Sequence, residues 1–133
     1  MALEARRAAN WRIIERGGDL LQVTELTQRI VDLLTDKQAE DVVVLNISQI
    51  APFADYFVIA SGQTVRQLQA LLKSLDEDLG RDGVHPLRRE GKAASGWILL
   101  DFGDVVVHVF APEQRRYYDL EALWGRPAPA AVP

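Results

Sequence analysis

Two aspartates in a predicted β-hairpin are the first candidates for chemistry in this chain of 133 residues. Asp101 and Asp104 are separated by a Phe-Gly pair and flanked by apolar runs at 97–100 and 105–110. Such β-branched and aromatic runs, bounded by Gly and Asp, predict two buried strands joined by a short acidic turn. Paired carboxylates beside a sheet can hold divalent cations against a triphosphate. Nucleotidyl transfer is therefore the chemistry to test first.

The spacing of the two aspartates argues against a shared metal ion. Side chains alternate along a strand, so two acids reach the same face only at even spacing, and here the spacing is odd. Asp and Gly are also residues that an ordinary hairpin turn prefers. We therefore predict no metal site and no cofactor. A metal-dependent nucleotidyltransferase, or a nucleotide-binding relative, that uses Asp101 and Asp104 is kept as the alternative function.

Two further positions carry residue types that often bind ligands. His108 alternates with Val106 and Phe110, and the sequence has one other histidine and no cysteine, which makes a poor metal set. We expect His108 to be a hydrogen-bonded residue, either at the edge of a binding surface or in the core. The Ser61–Gly62 step precedes a predicted helix, where an anion can bind. A single glycine is far short of a phosphate-binding loop.

Composition bounds the class of protein. Hydrophobic residues make up 48% of the chain and charged residues 26%, which is typical of one globular domain. The net charge of −4 disfavours a chain that grips nucleic acid over its whole surface, and it suits a basic protein partner. The absence of cysteine rules out disulfides. We expect no secretory signal and no membrane-spanning segment, and hence a cytoplasmic protein.

The chain divides into three predicted zones. Residues 1–22 form an N-terminal extension that contains at most a short helix, through Trp11, Ile13 and Ile14. Residues 23–125 carry all the strong periodicity and are expected to be a single α/β domain. Residues 126–133, rich in Pro and Ala, are expected to be a disordered tail.

Periodicity within the central zone predicts the order α-β-β-α-β-β-β-α, a mixed sheet of about five strands with helices packed on it. Predicted strands cover 42–47, 56–60, 87–90 and the two arms of the hairpin. Thr24 is the expected N-cap of the first helix, Thr64 and Gln67 have capping-box spacing, and Gly80 is the expected stop of the second helix. Pro112 opens the last helix, whose predicted inward face is Tyr117, Leu120, Leu123 and Trp124.

The segment Gly96 to Phe110 resembles the signature hairpin of the ribosomal silencing factor family, also called Iojap-related proteins. The segments 54–64, 90–97 and 112–124 are similar to the family's preceding strand and turn, its approach to the tryptophan, and its closing helix. The resemblance runs in order over roughly residues 25 to 125. It implies a nucleotidyltransferase-like topology.

The resemblance also implies a role without catalysis. Members of this family bind the large ribosomal subunit through its fourteenth ribosomal protein and sterically block joining of the small subunit, which represses translation under nutrient limitation. A homodimer and a rim contact of Arg115 and Arg116 with ribosomal RNA are compatible with this role. The candidate partner-binding residues carried over from the family are Trp97, Asp101, Phe102, Gly103, Asp104, His108, Arg116 and Tyr118.

Overall fold

A six-stranded mixed sheet organises the part of the chain that the computed structural model describes, residues 11–14 and 25–125. Its spatial order is β1-β2-β3-β6-β5-β4. Strand β1 runs parallel to β2, and β3 runs parallel to β6, whereas all other neighbours are antiparallel. The strands are β1 (Trp11–Ile14), β2 (Glu40–Asn46), β3 (Tyr56–Ser61), β4 (Arg88–Glu90), β5 (Trp97–Asp101) and β6 (Val105–Phe110).

The helices confirm the predicted α/β class. The described residues form α1 (Glu25–Asp36), α2 (Val65–Arg81), a short 3₁₀ helix (Ala93–Ser95), α3 (Pro112–Tyr118) and α4 (Leu120–Gly125). The predicted order of elements is present, with β1 in front of it and with the closing helix divided in two. None of the described helices combines the length and the apolar character needed to cross a membrane.

One face of the sheet is covered by α1 and α2. Each helix carries apolar residues at helical spacing, so each buries one side against the strands. Burial of each Leu or Ile contributes about 2 kcal/mol, which makes this cluster the main source of stability. The buried residues that form it include Ile30, Val31, Leu34, Leu68, Leu71, Leu75 and Leu79 from the helices, and Val42, Val44, Val58, Ala60, Ile98, Leu100, Val107 and Val109 from the sheet.

The opposite face of the sheet holds a smaller core. Phe57, Ile59 and Phe110 are buried there, together with residues of β2 and of the loop that follows it. Leu120 and Trp124 of α4 pack on this cluster, but Trp97 and Leu99 at its edge stay half-buried. The hairpin of β5 and β6 is therefore only partly covered on this side.

The N-terminus of α2 has half of the predicted capping box. The Thr64 Oγ1 accepts a hydrogen bond from the Gln67 amide at 3.0 Å, as predicted. The Gln67 side chain accepts from the amide of Gln63, at 2.8 Å, instead of from that of the cap residue. At the other end, the helix runs past the predicted stop at Gly80 and ends at Arg81. The first glycine after the helix, Gly83, has a positive φ of 77°.

The N-terminal prediction requires a correction. Residues Trp11–Ile14 form a strand and not a short helix, because they pair with β2 along the edge of the sheet. Two β-branched isoleucines favour that conformation, and pairing with an existing strand outweighs weak helical periodicity. The rest of the extension, the predicted cap at Thr24 and the tail 126–133 lie outside the described residues.

The closing helix also differs from the prediction. Asp119 adopts φ 47° and ψ 55°, a left-handed conformation that ends α3 before α4 begins. The break changes the helical phase, so residues on either side of it do not share one face. Tyr117 and Leu123 are consequently exposed, at 81% and 69%, whereas Leu120 and Trp124 face the sheet as predicted.

Candidate functional site

The β5–β6 hairpin places three of the candidate residues, Trp97, Asp101 and His108, on one side of the sheet. Trp97 pairs with Phe110, Leu99 with His108, and Asp101 with Val106. Directly opposed residues in an antiparallel pair point to the same face. We call this side the hairpin face, defined by Trp97, Leu99 and Asp101 of β5, His108 of β6, and Tyr118 of α3, whose ring lies against Trp97.

Trp97 and Tyr118 form an aromatic pair at the edge of the smaller core. Their ring centroids are 4.3 Å apart, and the Trp97 ring also stacks on Phe110 at 5.1 Å. Trp97 is half-buried, and 46% of Tyr118 is exposed. The pair is therefore held in place on its inner side and open to contact on its outer side.

His108 is buried next to this pair and holds Trp97 in position. Its Nδ1 accepts a hydrogen bond from the Trp97 Nε1–H at 3.2 Å, and its ring meets Phe57 edge-on at 4.5 Å. Burial lowers the pKa of His108 from 6.5 to about 4, so the imidazole is neutral at pH 7. Because Nδ1 accepts, the proton is on Nε2, which has no hydrogen-bond partner among the described residues.

The carboxylate of Asp101 forms a hydrogen bond within the acidic turn. The Asp101 Oδ1 accepts from the Gly103 amide at 2.8 Å, and Gly103 has φ 95°, which glycine adopts without strain. Asp104 is exposed, and its carbonyl oxygen accepts from the amides of Asp55 and Tyr56, at 2.8 and 3.1 Å. The turn is thus bound to the start of β3.

Phe102 and Arg116 do not lie on the hairpin face. Phe102 packs against the larger core, on the opposite side of the sheet, so its ring is not on the hairpin face. Arg116 is exposed on α3 and lines a polar hollow with Glu40, Asp41 and Asp119. The structure therefore brings together Trp97, His108 and Tyr118. Asp101 is on the same face but at the opposite end of β5, and Phe102 and Arg116 do not join them.

Arg115, the neighbour of Arg116, is held inside the fold. Only 10% of its side chain is exposed. Its guanidinium donates to the Ser61 Oγ at 2.8 Å and to both oxygens of Glu121, at 2.9 and 3.2 Å. It joins β3 to the two closing helices, and the Ser61 hydroxyl thereby has a structural partner, in line with the structural role that the single glycine at this step favoured. The rim contact with RNA that the sequence suggested for this arginine would require it to leave these partners.

A cleft beside Trp97 is completed by Glu90 and Leu99, which were not among the candidate residues predicted from the sequence. Its lining is Glu90, Gly91, Ser95, Trp97, Leu99 and Tyr118. Gly91 has φ 86°, and a Cβ there would collide with the carbonyl oxygen of Trp97, so only glycine lets this wall approach β5 so closely. Leu99 could have been predicted from the sequence, because side chains alternate along a strand and Leu99 therefore lies on the same face of β5 as Trp97.

No group of three or more His, Asp or Glu side chains within the described ranges is arranged to hold a metal ion. The residues on the hairpin face are instead aromatic, apolar and acidic, and they are held by contacts within the fold. Aromatic residues are enriched at protein–protein interfaces, so the Trp97–Tyr118 pair is suited to contact with another protein.

Comparison with known proteins identifies the family. The family model described as "Ribosomal silencing factor during starvation" matches residues 21–132. The chain belongs to the ribosomal silencing factor family. The resemblance inferred from the hairpin and its flanking segments is thereby confirmed.

Individual relatives agree with this assignment. The ribosomal silencing factor RsfS of Halalkalibacterium halodurans is 45% identical over 101 residues, which cover 76% of this chain and 86% of the relative. A mouse protein named "Mitochondrial assembly of ribosomal large subunit protein 1" is 33% identical over 91% of this chain and 54% of its own length. A crystal structure of a Chromobacterium violaceum protein, 36% identical, matches with a TM-score of 0.73 over 85% of this chain and 95% of that one.

Proposed function

We propose that this protein binds the large ribosomal subunit through the fourteenth large-subunit ribosomal protein and blocks joining of the small subunit by occupying the face where it docks. The observation that carries the proposal is the Trp97–Tyr118 pair, half-exposed on a rigid sheet in a member of the silencing factor family. The mouse relative's name refers to assembly of the large subunit, which favours the same subunit as the target.

A steric mechanism requires only a rigid surface of sufficient size. A standard interface buries about 800 Å² on each partner, and aromatic residues dominate its affinity. The hairpin face supplies aromatic residues in a fixed orientation, since Trp97 is held by Phe110 and His108 before any partner arrives. Prior ordering reduces the conformational entropy lost on binding. Joining of the small subunit is then prevented without any chemical step.

Each candidate residue has a role in this proposal. Trp97 and Tyr118 are the anchors, and His108 acts by positioning Trp97. Asp101 and Asp104 supply negative charge toward a basic ribosomal protein, while Phe102 and Gly103 shape the turn that carries them. Arg116 is an exposed cation for the rim, where ribosomal RNA lies. We further propose that the protein acts in the cytoplasm during nutrient limitation, and that a homodimer is one of its forms.

The direct test is co-sedimentation of the purified protein with isolated large subunits at micromolar concentration, with small subunits added in increasing amounts. We expect the protein to sediment with large subunits and the two to compete. A protein that stays in the supernatant, or that sediments without affecting subunit joining, contradicts the proposal. A lower affinity at higher salt is expected if the Arg116 rim touches RNA.

The proposal includes the absence of catalysis. Two observations support this part of the proposal. The Asp101 carboxylate accepts a hydrogen bond within its own turn, and Ser61 is bound by Arg115, which is itself paired with Glu121. Incubation with Mg²⁺ and labelled nucleoside triphosphates tests this part separately. Nucleotide transfer that is lost in Asp101→Ala would establish the alternative, a metal-dependent nucleotidyltransferase.

A further inference from the structure

We propose that the cleft between Glu90, Trp97 and Tyr118 receives a single Lys or Arg side chain of the partner, and that Arg88 occupies the Glu90 carboxylate until that side chain arrives. The inference rests on the proposed function, because it names the chemistry of one contact within the same interface. It adds Glu90 and Leu99 to the contact set and gives Arg88 an opposing role.

The lining of the cleft matches a long cationic side chain. The cleft is lined by the aromatic residues Trp97 and Tyr118, the acidic residue Glu90 and the apolar residue Leu99. Lys and Arg carry an apolar stem that packs on such surfaces, while their charge is attracted to an aromatic face and to a carboxylate. An anionic side chain would be repelled by Glu90, and a neutral one would leave that carboxylate without a new partner.

The walls of the cleft are fixed before binding. Glu90 is paired with Leu99 on the adjacent strand, and Gly91 turns the chain tightly against the Trp97 carbonyl. On the other side, the Gln114 side chain of α3 lies against Gly96, which has φ 82°. The close approach at Gly91 holds the chain that follows β4 near β5, and α3 carries Tyr118 beside Trp97.

Arg88 is the internal competitor for the carboxylate. Its Nε lies 3.0 Å from the Glu90 Oε2, and the two side chains are 62% and 57% exposed. Arg88 is also directly opposite Asp101, so it lies between two acids on the hairpin face. An ion pair this exposed is weak, and an incoming cation can therefore replace it at little cost.

Two neighbouring substitutions are expected to have opposite effects on the affinity for isolated large subunits. Glu90→Gln removes the carboxylate and should weaken binding about tenfold, because a cation in the cleft loses its counter-charge. Arg88→Gln removes the competitor and should strengthen binding about threefold. The matched controls are Glu77→Gln and Lys73→Gln, an exposed pair on α2 that makes the same charge changes on the far side of the sheet. Both should leave the affinity unchanged.

The results separate this inference from the proposed function. If the unchanged protein does not bind large subunits, the proposed function fails. If it binds, and Glu90→Gln and Arg88→Gln shift the affinity in the same direction or no more than the α2 controls, the cleft inference is overturned while the proposed function stands. Thermal unfolding of each variant confirms that the fold is retained, as expected for exposed positions.

A scan of the partner gives a second, independent measurement. Each exposed Lys and Arg of the purified fourteenth ribosomal protein is replaced by Ala and measured against both the unchanged chain and Glu90→Gln. One cation should couple to Glu90, so that the double change weakens binding several-fold less than the product of the single changes. If no cation couples to Glu90, the inference is wrong.

Discussion

The indole N–H of Trp97 donates to Nδ1 of His108 at 3.2 Å, across the pair of strands that forms the hairpin. This bond fixes the orientation of a half-exposed tryptophan and, at the same time, the tautomer of a buried histidine. The other ring nitrogen, Nε2–H, is left without a partner in the described part of the chain. His108 therefore orders the surface at a cost in stability.

Replacing His108 by Phe should separate these two effects. The ring is surrounded by Phe57, Trp97 and Phe110, so a phenyl group fits its environment. The substitution removes the unpaired Nε2–H, which is stabilising, and also the hydrogen bond from Trp97, which is destabilising. The first effect should be the larger, so the free energy of unfolding should rise by about 1 kcal/mol. Affinity for large subunits should fall, because Trp97 is no longer oriented. Urea unfolding and co-sedimentation measure the two quantities, and a less stable variant would contradict the assignment of the unpaired donor.

The same residue predicts a pH dependence of stability. The pKa of His108 is lowered to about 4 by burial, whereas it is 6.5 ordinarily. Between these values the unfolded chain binds a proton at this residue and the folded chain does not, so stability falls as the pH drops from about 6.5 to about 4, with no further loss below. At about 1.4 kcal/mol per unit of pKa, the full loss is about 3 kcal/mol.

Carboxylates titrate in part of this range, so the control is His108→Phe measured over the same range of pH. The difference in unfolding free energy between the two proteins should grow as the pH falls. Parallel curves would show that His108 is not held neutral in the folded protein.

The adjacent tyrosines of α3 provide a matched pair for the binding surface. Tyr118 contacts Trp97, whereas Tyr117 is 81% exposed and contacts Tyr118 only from outside. Tyr118→Ala should weaken large-subunit binding about 30-fold, which corresponds to about 2 kcal/mol. Tyr117→Ala should change it less than about threefold. Equal losses for the two variants would remove Tyr118 from the anchor role.

The adjacent arginines of α3 test the connection to the sheet. Arg115→Ala leaves Glu121 and the Ser61 hydroxyl without their shared partner and should lower the free energy of unfolding by about 2 kcal/mol. Arg116→Ala, at an exposed position, should change it by less than about 0.5 kcal/mol. Chemical denaturation of both variants is the measurement. A stable Arg115→Ala protein would mean that the closing helices are held by packing alone.

Two glycines with similar backbone angles differ in their surroundings. Gly91 and Gly83 have φ of 86° and 77°, but a Cβ at Gly91 meets the Trp97 carbonyl, whereas nothing lies within 4 Å at Gly83. Gly83→Ala should cost about 1 kcal/mol, for backbone conformation alone. Gly91→Ala should cost about 3 kcal/mol or more, because the backbone must also move. Similar losses in thermal unfolding would contradict the close approach.

Sequence patterns predicted the fold well where side-chain periodicity and local chemistry agree. The hairpin arms, the capping threonine of α2 and the stripe of leucines on that helix are all present, since each depends on neighbours along the chain. The strand Trp11–Ile14 was not predicted, because it depends on pairing with β2, some 30 residues further along the chain. The break at Asp119 also had no signal, since aspartate only tolerates a left-handed conformation and does not require it.

The candidate site was predicted in part. An alternating pattern along β5 and β6 places Trp97 and His108 on one face, and that geometry is intrinsic to a strand. Tyr118 joins them from another element, which the family resemblance supplied and periodicity did not. The position of Glu90 beside Trp97 was not predicted, because it depends on the close passage of the chain at Gly91, a tertiary contact.

The left-handed residue at Asp119 lets one short C-terminal segment serve two purposes. Before the bend, the chain presents Tyr118 outward beside Trp97; after it, Trp124 turns back to shield Phe57. In an unbroken helix the positions of Tyr118 and Trp124 would be fixed by one helical phase, so the two rings could not be directed independently. A single backbone reversal thus places one aromatic residue of the closing segment at the surface beside Trp97 and another over the sheet.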